Sequence, residues 1–167
     1  MGPEDIVSTA LLVVSDRASS GVRADKCEAA IRQSLHGTPI RLTDVKVVPD
    51  DIGDIRAAIT GWADSGMFDL ILTSGGTGLS PRDVTPEATE PLLDRAIPGI
   101  PEAMRAMSLK ITPRAALARG VAGIRKRTMI INLPGSPKAA VENFSFVLDA
   151  VIHGVAKMKG DPSDCGT

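Results

Sequence analysis

Aromatic side chains are nearly missing from this chain: one tryptophan, three phenylalanines and no tyrosine occur among 167 residues. The bases of a single-stranded nucleic acid would find almost no rings on which to stack. A charge excess is missing as well, since 19 lysines and arginines face 20 aspartates and glutamates for a net charge of −1. Neutralising a row of phosphates needs a basic surplus, so no nucleic-acid partner is expected. Apolar runs are short. Stretches such as Leu11–Val14 and Leu70–Leu72 fall well below the roughly 18–20 residues that cross a bilayer, and no membrane span is expected. Met1-Gly2-Pro3-Glu4-Asp5 is acidic where a secretory leader carries a basic segment, which predicts a cytoplasmic location. Cysteine is scarce too: Cys27 and Cys165 lie far apart and outside any CxxC or Cys/His spacing. Reduced thiols suit this pattern better than disulfide staples, with Cys165 expected on a frayed end.

The length, together with 43% hydrophobic and 23% charged residues, predicts one globular domain over residues 1–167. Strand-like apolar runs alternate with amphipathic stretches along it. Ala10–Val14 reads as a strand, and Cys27, Ala30, Ile31, Ser34 and Leu35 recur at helical spacing within Ala24–Leu35. Ile40–Val48 alternates as a strand up to Pro49, after which Ile52, Ile55, Ala58, Ile59 and Trp62 keep a helical period to Gly66. Asp69–Ser74 is the continuous apolar run of a strand covered on both faces of a parallel sheet. Thr85-Pro86-Glu87 reads as an N-cap followed by a first-turn proline, opening a helix toward Arg95 that Pro98-Gly99-Ile100-Pro101 ends. A helix is also predicted over Glu102–Leu109, whereas Thr112–Arg127 holds no consistent period. Thr128–Leu133 is again strand-like. Ser136-Pro137 then caps a long helix with Ala140, Phe144, Val147, Leu148, Val151 and Val155 on one face. The alternation predicts an α/β fold with a mostly parallel sheet.

In such sheets ligands bind beyond the carboxyl ends of the strands. Four predicted strands end in polar turns: Ser15-Asp16, Pro49-Asp50-Asp51, Gly75-Gly76-Thr77-Gly78 and Pro134-Gly135-Ser136. Three glycines in four residues can aim backbone N–H groups at a phosphate, and they can equally form a tight turn. As a phosphate nest, the loop should lose ligand binding more than folding on Gly76→Val. The chain has no GxxxxGK[ST], Gly76-Thr77-Gly78 lacks the third glycine of GxGxxG, and no GxSxG is present. Walker-type, dinucleotide and serine-hydrolase readings therefore fall away. Asp50 and Asp83 stand in two neighbouring loops, either as turn-capping groups or as ligands of Mg²⁺, since a carboxylate beside a polyphosphate needs a cation between them. Arg17, Arg82 and Lys138 can neutralise phosphate or serve as surface charge. Ser136 can cap its helix and bind an anion there. His36 and His153 have no partners at zinc-ligand spacing.

Taken together, Ser15-Asp16-Arg17-Ala18-Ser19-Ser20-Gly21, Val48-Pro49-Asp50, Thr73–Gly78 through Pro81-Arg82-Asp83-Val84-Thr85-Pro86-Glu87-Ala88-Thr89, Pro98-Gly99, and Asn132-Leu133-Pro134-Gly135-Ser136-Pro137 resemble the molybdopterin-binding family. Molybdopterin adenylyltransferases, bacterial MogA and MoaB and the G domain of gephyrin are among its members. The resemblance spans about Ala10 to Lys159. It implies a three-layer α/β/α domain, a homotrimer, and adenylylation of molybdopterin with ATP and Mg²⁺, or else a trimer that binds molybdopterin without turnover. A molybdenum-insertion domain is the further partner it implies. Carried over by position, Asp50 and Asp83 match the family's catalytic and metal-binding aspartates. Ser15, Asp16, Gly75, Gly76, Thr77, Gly78, Ser80, Arg82, Pro134, Gly135 and Ser136 fall on its substrate-binding loops.

Overall fold

Side chains that alternate across the strands set the layers of this molecule, whose residues 6–22 and 26–162 are described by a computed structural model. β1 (Val7–Val14) lies between β2 (Ile40–Val48) and β3 (Leu70–Ser74), parallel to both, and β3 pairs in parallel with β6 (Thr128–Leu133). β5 (Ala122–Arg125) runs antiparallel to β6, and the two-residue β4 (Arg95–Ala96) antiparallel to β5, giving the order β2-β1-β3-β6-β5-β4. Leu11, Val13, Leu72 and Ile131 face one side, where Ile31 of α2 (Cys27–Ser34), Met104 of α5 (Gly99–Leu109) and Phe144, Val147 and Val151 of α6 (Pro137–Met158) cover them. Leu12, Val14, Ile71 and Ile130 face the other, under Ile55, Ile59 and Trp62 of α3 (Ile52–Ser65) and Ala88 of α4 (Thr85–Thr89). The result is an α/β/α sandwich, as the alternation and the resemblance imply.

Topology decides where a ligand fits. From β1 the chain steps outward to β2, then returns to the far side of β1 as β3. The connections after β1 and β3 therefore diverge, and a crevice opens at the carboxyl ends of these neighbouring strands. A four-residue helix, α1 (Asp16–Ser19), begins at the end of β1 with Ser15 as its cap.

Three elements differ from expectation. The helix opened at Thr85 stops at Thr89 rather than Arg95, because Pro91 cannot continue the i→i−4 ladder; Glu90–Leu92 forms a 3₁₀ turn and Arg95–Ala96 an edge strand. Pro98–Pro101 starts α5 instead of ending a helix: Pro98 is its cap, and Pro101 sits in the first turn, where no N–H is required. The stretch Thr112–Arg127 holds a 3₁₀ turn (Pro113–Leu117) and β5. Its hairpin into β6 turns at Lys126, a non-glycine residue at φ 52°, so no glycine marks the turn.

Although the apolar runs of the sequence are short, the 22 residues of α6 taken together are long and apolar enough to cross a bilayer. Here the helix lays that apolar face on the sheet, with Ala140, Phe144, Val147, Val151 and Val155 each no more than 3% exposed. Cys27 is buried and its Sγ donates to the Gly135 carbonyl at 3.3 Å, whereas Cys165 and Ala24 lie outside the described residues.

Candidate functional site

The glycine loop sits where three strand ends meet backbone to backbone. Gly75 (φ 108°) and Gly76 (φ 64°) adopt conformations that side chains rarely allow. A Cβ on Gly75 would lie 2.2 Å from the Val14 carbonyl oxygen, and one on Gly135 would lie 3.1 Å from Gly75 Cα. Side-chain hydroxyls lock the junction: Thr85 Oγ1 donates to the Gly75 carbonyl at 2.8 Å, and Ser74 Oγ to the Pro134 carbonyl at 3.0 Å. Thr85 is thus not the expected N-cap; Val84 holds that position. Behind the loop, buried Asn132 donates to Thr73 Oγ1 and Thr89 Oγ1 and accepts from the Val121 N–H, a fully satisfied polar network beneath the site.

Gly76 therefore has a structural role beyond ligand access. A Cβ there would come within 2.3 Å of Thr85 Oγ1 and 3.2 Å of Asp50 Oδ1. Gly76→Val should therefore lower the melting temperature as well as ligand affinity, a larger cost to folding than the phosphate-nest reading alone expects, and thermal unfolding beside a binding titration checks this.

Asp16 and Asp50 exchange main-chain hydrogen bonds: Asp16 N–H donates to Asp50 Oδ2 at 2.9 Å and Asp50 N–H to Asp16 Oδ1 at 3.0 Å. This reciprocal pair joins the β1 and β2 loops. Arg82 forks onto Asp16 through Nε (3.1 Å) and Nη2 (2.8 Å), which holds the Asp16 carboxyl below its ordinary range and raises Arg82. Burial pushes Asp50 upward, opposed by the Asp16 N–H and reinforced by the charges of Asp16 and Asp83. Asp83 Oδ2 accepts from the Ser80 N–H at 2.9 Å, closing a turn in which Asp83 N–H donates to the Ser80 carbonyl at 2.8 Å.

Two cavities flank this loop. One, of about 590 Å³, is lined by Ser15, Asp50, Gly75, Ser136 and, at the start of α2, its N-cap Lys26 and first residue Cys27. The other, of about 420 Å³, is lined by Thr77, Gly78 and Pro134 together with Arg105, Arg114 and Asn143. Gly76, Asp83 and Gly135 belong to both walls. The N-termini of α2 and α6 border the larger cavity, where their helix dipoles favour an anion, and Ser136 also caps α6 by accepting from the Ala139 N–H. Asp16, Ser80 and Arg82, expected among the substrate contacts, line neither cavity and instead brace the two aspartates. Arg17 and Lys138 also stand outside both walls. Lys26, Arg105, Arg114 and Arg119 were not singled out from the sequence. Only helical phase along α5 could have marked Arg105, and no motif surrounds the other three.

Among the described residues no group of three acidic, histidine or cysteine side chains can cage a metal. Two carboxylates on one wall suit Mg²⁺, which completes its shell with phosphate oxygens and water.

Comparison with known proteins agrees with this geometry. The family described as a probable molybdopterin binding domain matches residues 10–153. Gephyrin of Dictyostelium discoideum is 46% identical over 162 residues, covering 91% of this chain and 22% of that much longer protein. Molybdopterin adenylyltransferase of Escherichia coli K12 is 43% identical over 152 residues, 87% of this chain and 77% of that one. The crystal structure of the molybdopterin biosynthesis enzyme MoaB from Thermus thermophilus superposes with a TM-score of 0.89 at 48% identity, covering 95% of this chain and all of the other. The chain belongs to the molybdopterin-binding domain family.

Proposed function

We propose that this protein is a molybdopterin adenylyltransferase of molybdenum cofactor biosynthesis. One observation carries the reading: two cavities, each of a size for a small molecule, share Gly76, Asp83 and Gly135 as a common wall. Two substrates seated on either side meet there with their phosphates. The relatives named molybdopterin adenylyltransferase, at 39–43% identity, supply the chemical class.

In the reaction a terminal phosphate oxygen of molybdopterin attacks the α-phosphorus of ATP. A new P–O–P linkage forms, the α–β bond breaks, and its electron pair leaves with pyrophosphate. The phosphate is already anionic, so no strong base is required, and the protein's task is positioning and charge neutralisation. The amides of Gly76, Thr77 and Gly78 find no protein acceptor among the described residues and can receive phosphate oxygens. Lys26 supplies positive charge on the larger cavity, and Arg105 and Arg114 on the smaller. Asp50 and Asp83 would hold Mg²⁺, which when bound neutralises charge on the transferring phosphate.

Pyrophosphate release from Mg·ATP that depends on added molybdopterin is the expected result. Molybdopterin binding without release would favour a non-catalytic binding trimer instead. We place the reaction in the cytoplasm and propose that the product passes to a molybdenum-insertion domain, for which the much longer Dictyostelium relative has room on one chain.

We also propose a homotrimer. Ile100 and Met104 of α5 are buried in the core, while Met107, Leu109, Ile111 and Leu117 are 38%, 48%, 57% and 53% exposed at the end of α5 and the turn that follows, an apolar surface that further copies of the chain would cover. Light scattering should give about three times the chain mass of 17.4 kDa. A mass equal to one chain would refute the trimer.

A further inference from the structure

Arg119 lies between the Pro113–Leu117 turn and β5, outside every loop that the sequence marked as functional. Its guanidinium nonetheless spans the whole turn that carries Asp83. Nε donates to the Gly78 carbonyl at 2.8 Å, Nη2 donates to the Asp83 carbonyl at 2.6 Å, and Nη1 pairs with the Glu87 carboxylate of α4. Its own backbone N–H donates to the Thr77 carbonyl at 3.1 Å. All three guanidinium nitrogens are engaged, and two of them hold the opposite ends of one loop.

Peptide geometry turns that clamp into an orienting device. A trans peptide is planar, so a carbonyl drawn toward Arg119 sends the next N–H the opposite way. Holding the Thr77, Gly78 and Asp83 carbonyls therefore aims the amides of Gly78, Leu79 and Val84 away from the arginine. Among the described residues the Gly78 and Leu79 amides meet no protein acceptor. The same fork fixes the main chain of Asp83, a residue that lines both cavities.

We propose that Arg119 is a positioning residue for adenylyl transfer, a clamp that presents the Gly78 amide and the Asp83 carboxylate to the reacting phosphates. The inference rests on the adenylyltransferase reading above. It also explains why arginine is needed: a lysine keeps the charge but has no planar fork to bridge two carbonyls at fixed spacing. Arg119 belongs to neither apolar cluster of the core, so its replacement should disturb the loop more than the fold.

The test compares Arg119→Lys and Arg119→Ala with the wild-type chain in molybdopterin-dependent pyrophosphate release. Expected is a fall in kcat of about ten- to a hundredfold in both variants, because small misplacements of reacting groups carry costs of that order. The KM for ATP should stay within about threefold, since the loss falls on the transition state and not on ground-state binding. Added guanidinium ion should restore part of the Arg119→Ala rate. Rates close to wild type would overturn the proposal, as would parallel losses of rate, ATP affinity and melting temperature without guanidinium rescue. If the wild-type chain itself releases no pyrophosphate, the adenylyltransferase reading fails separately. The clamp is then judged by amide hydrogen exchange over residues 78–84, expected about tenfold faster in Arg119→Ala and overturned by unchanged protection.

Discussion

Asp83→Asn should fold, retain molybdopterin and lose adenylyl transfer by about a hundred- to a thousandfold, the usual cost of deleting one electrostatic contact to a transition state. The substitution separates two roles that the structure gives one side chain. Asp83 Oδ2 accepts the Ser80 N–H, and an asparagine carbonyl oxygen can accept it equally well. The remaining supports of the turn are main-chain groups, namely Asp83 N–H on the Ser80 carbonyl and the Asp83 carbonyl under Arg119, and neither changes. Only the negative charge on the wall between the cavities disappears. Pyrophosphate release measured beside direct pterin binding checks the outcome. Turnover near wild type would leave Asp83 as a turn-former and nothing more.

How far the sequence revealed this arrangement varies with the range over which each signal acts. β3 was legible because a strand covered on both faces begins with a run of consecutive apolar residues, Leu70–Leu72, and all five residues of Leu70–Ser74 are buried. The glycine loop and the Pro134–Ser136 turn were legible because glycine, proline and a capping serine mark chain reversals locally. The antiparallel edge was not, since β4 is two exposed residues and Lys126 turns the β5–β6 hairpin without glycine. At the site, the sequence pointed to Asp50 and Asp83 and to the loops that line the cavities. It could not show that Arg82 is occupied by Asp16, 66 residues away, or that Arg119 reaches back 41 residues to Gly78. Such pairings follow from strand order, which no local pattern encodes. Thr85 is the instructive case: its position before Pro86 looks like a cap, yet burial under the glycine loop gives its hydroxyl a better acceptor in the Gly75 carbonyl.

Asp50→Asn should produce the opposite signs in stability and activity. The Asp50 carboxyl is pushed above its ordinary value, first by burial and then, against the opposing Asp16 N–H, by the neighbouring charges of Asp16 and Asp83. A carboxyl raised on folding favours the native state fully below its unfolded pKa, and this contribution is lost as pH rises through the higher folded value. At neutral pH the folded protein therefore carries an ionised group that its surroundings disfavour. Asparagine removes that charge and can still accept the Asp16 N–H through its amide oxygen, so the β1–β2 loop junction persists. The melting temperature of the ligand-free variant should exceed that of wild type near neutral pH, and the gap should close as pH falls below the ordinary aspartate value of about 3.9, where Asp50 becomes protonated in both states. Mg²⁺ with ATP should raise the wild-type melting temperature and raise that of the variant much less, because only the wild type keeps the carboxylate pair that suits the cation. Transfer should fall by about a hundredfold or more in the same variant. A lower melting temperature at every pH would show instead that the Asp50 charge supports the loop, and the aspartate would then be structural. The expected pattern, a gain in stability accompanied by lost turnover, is that of a charge kept in place for a ligand rather than for the fold.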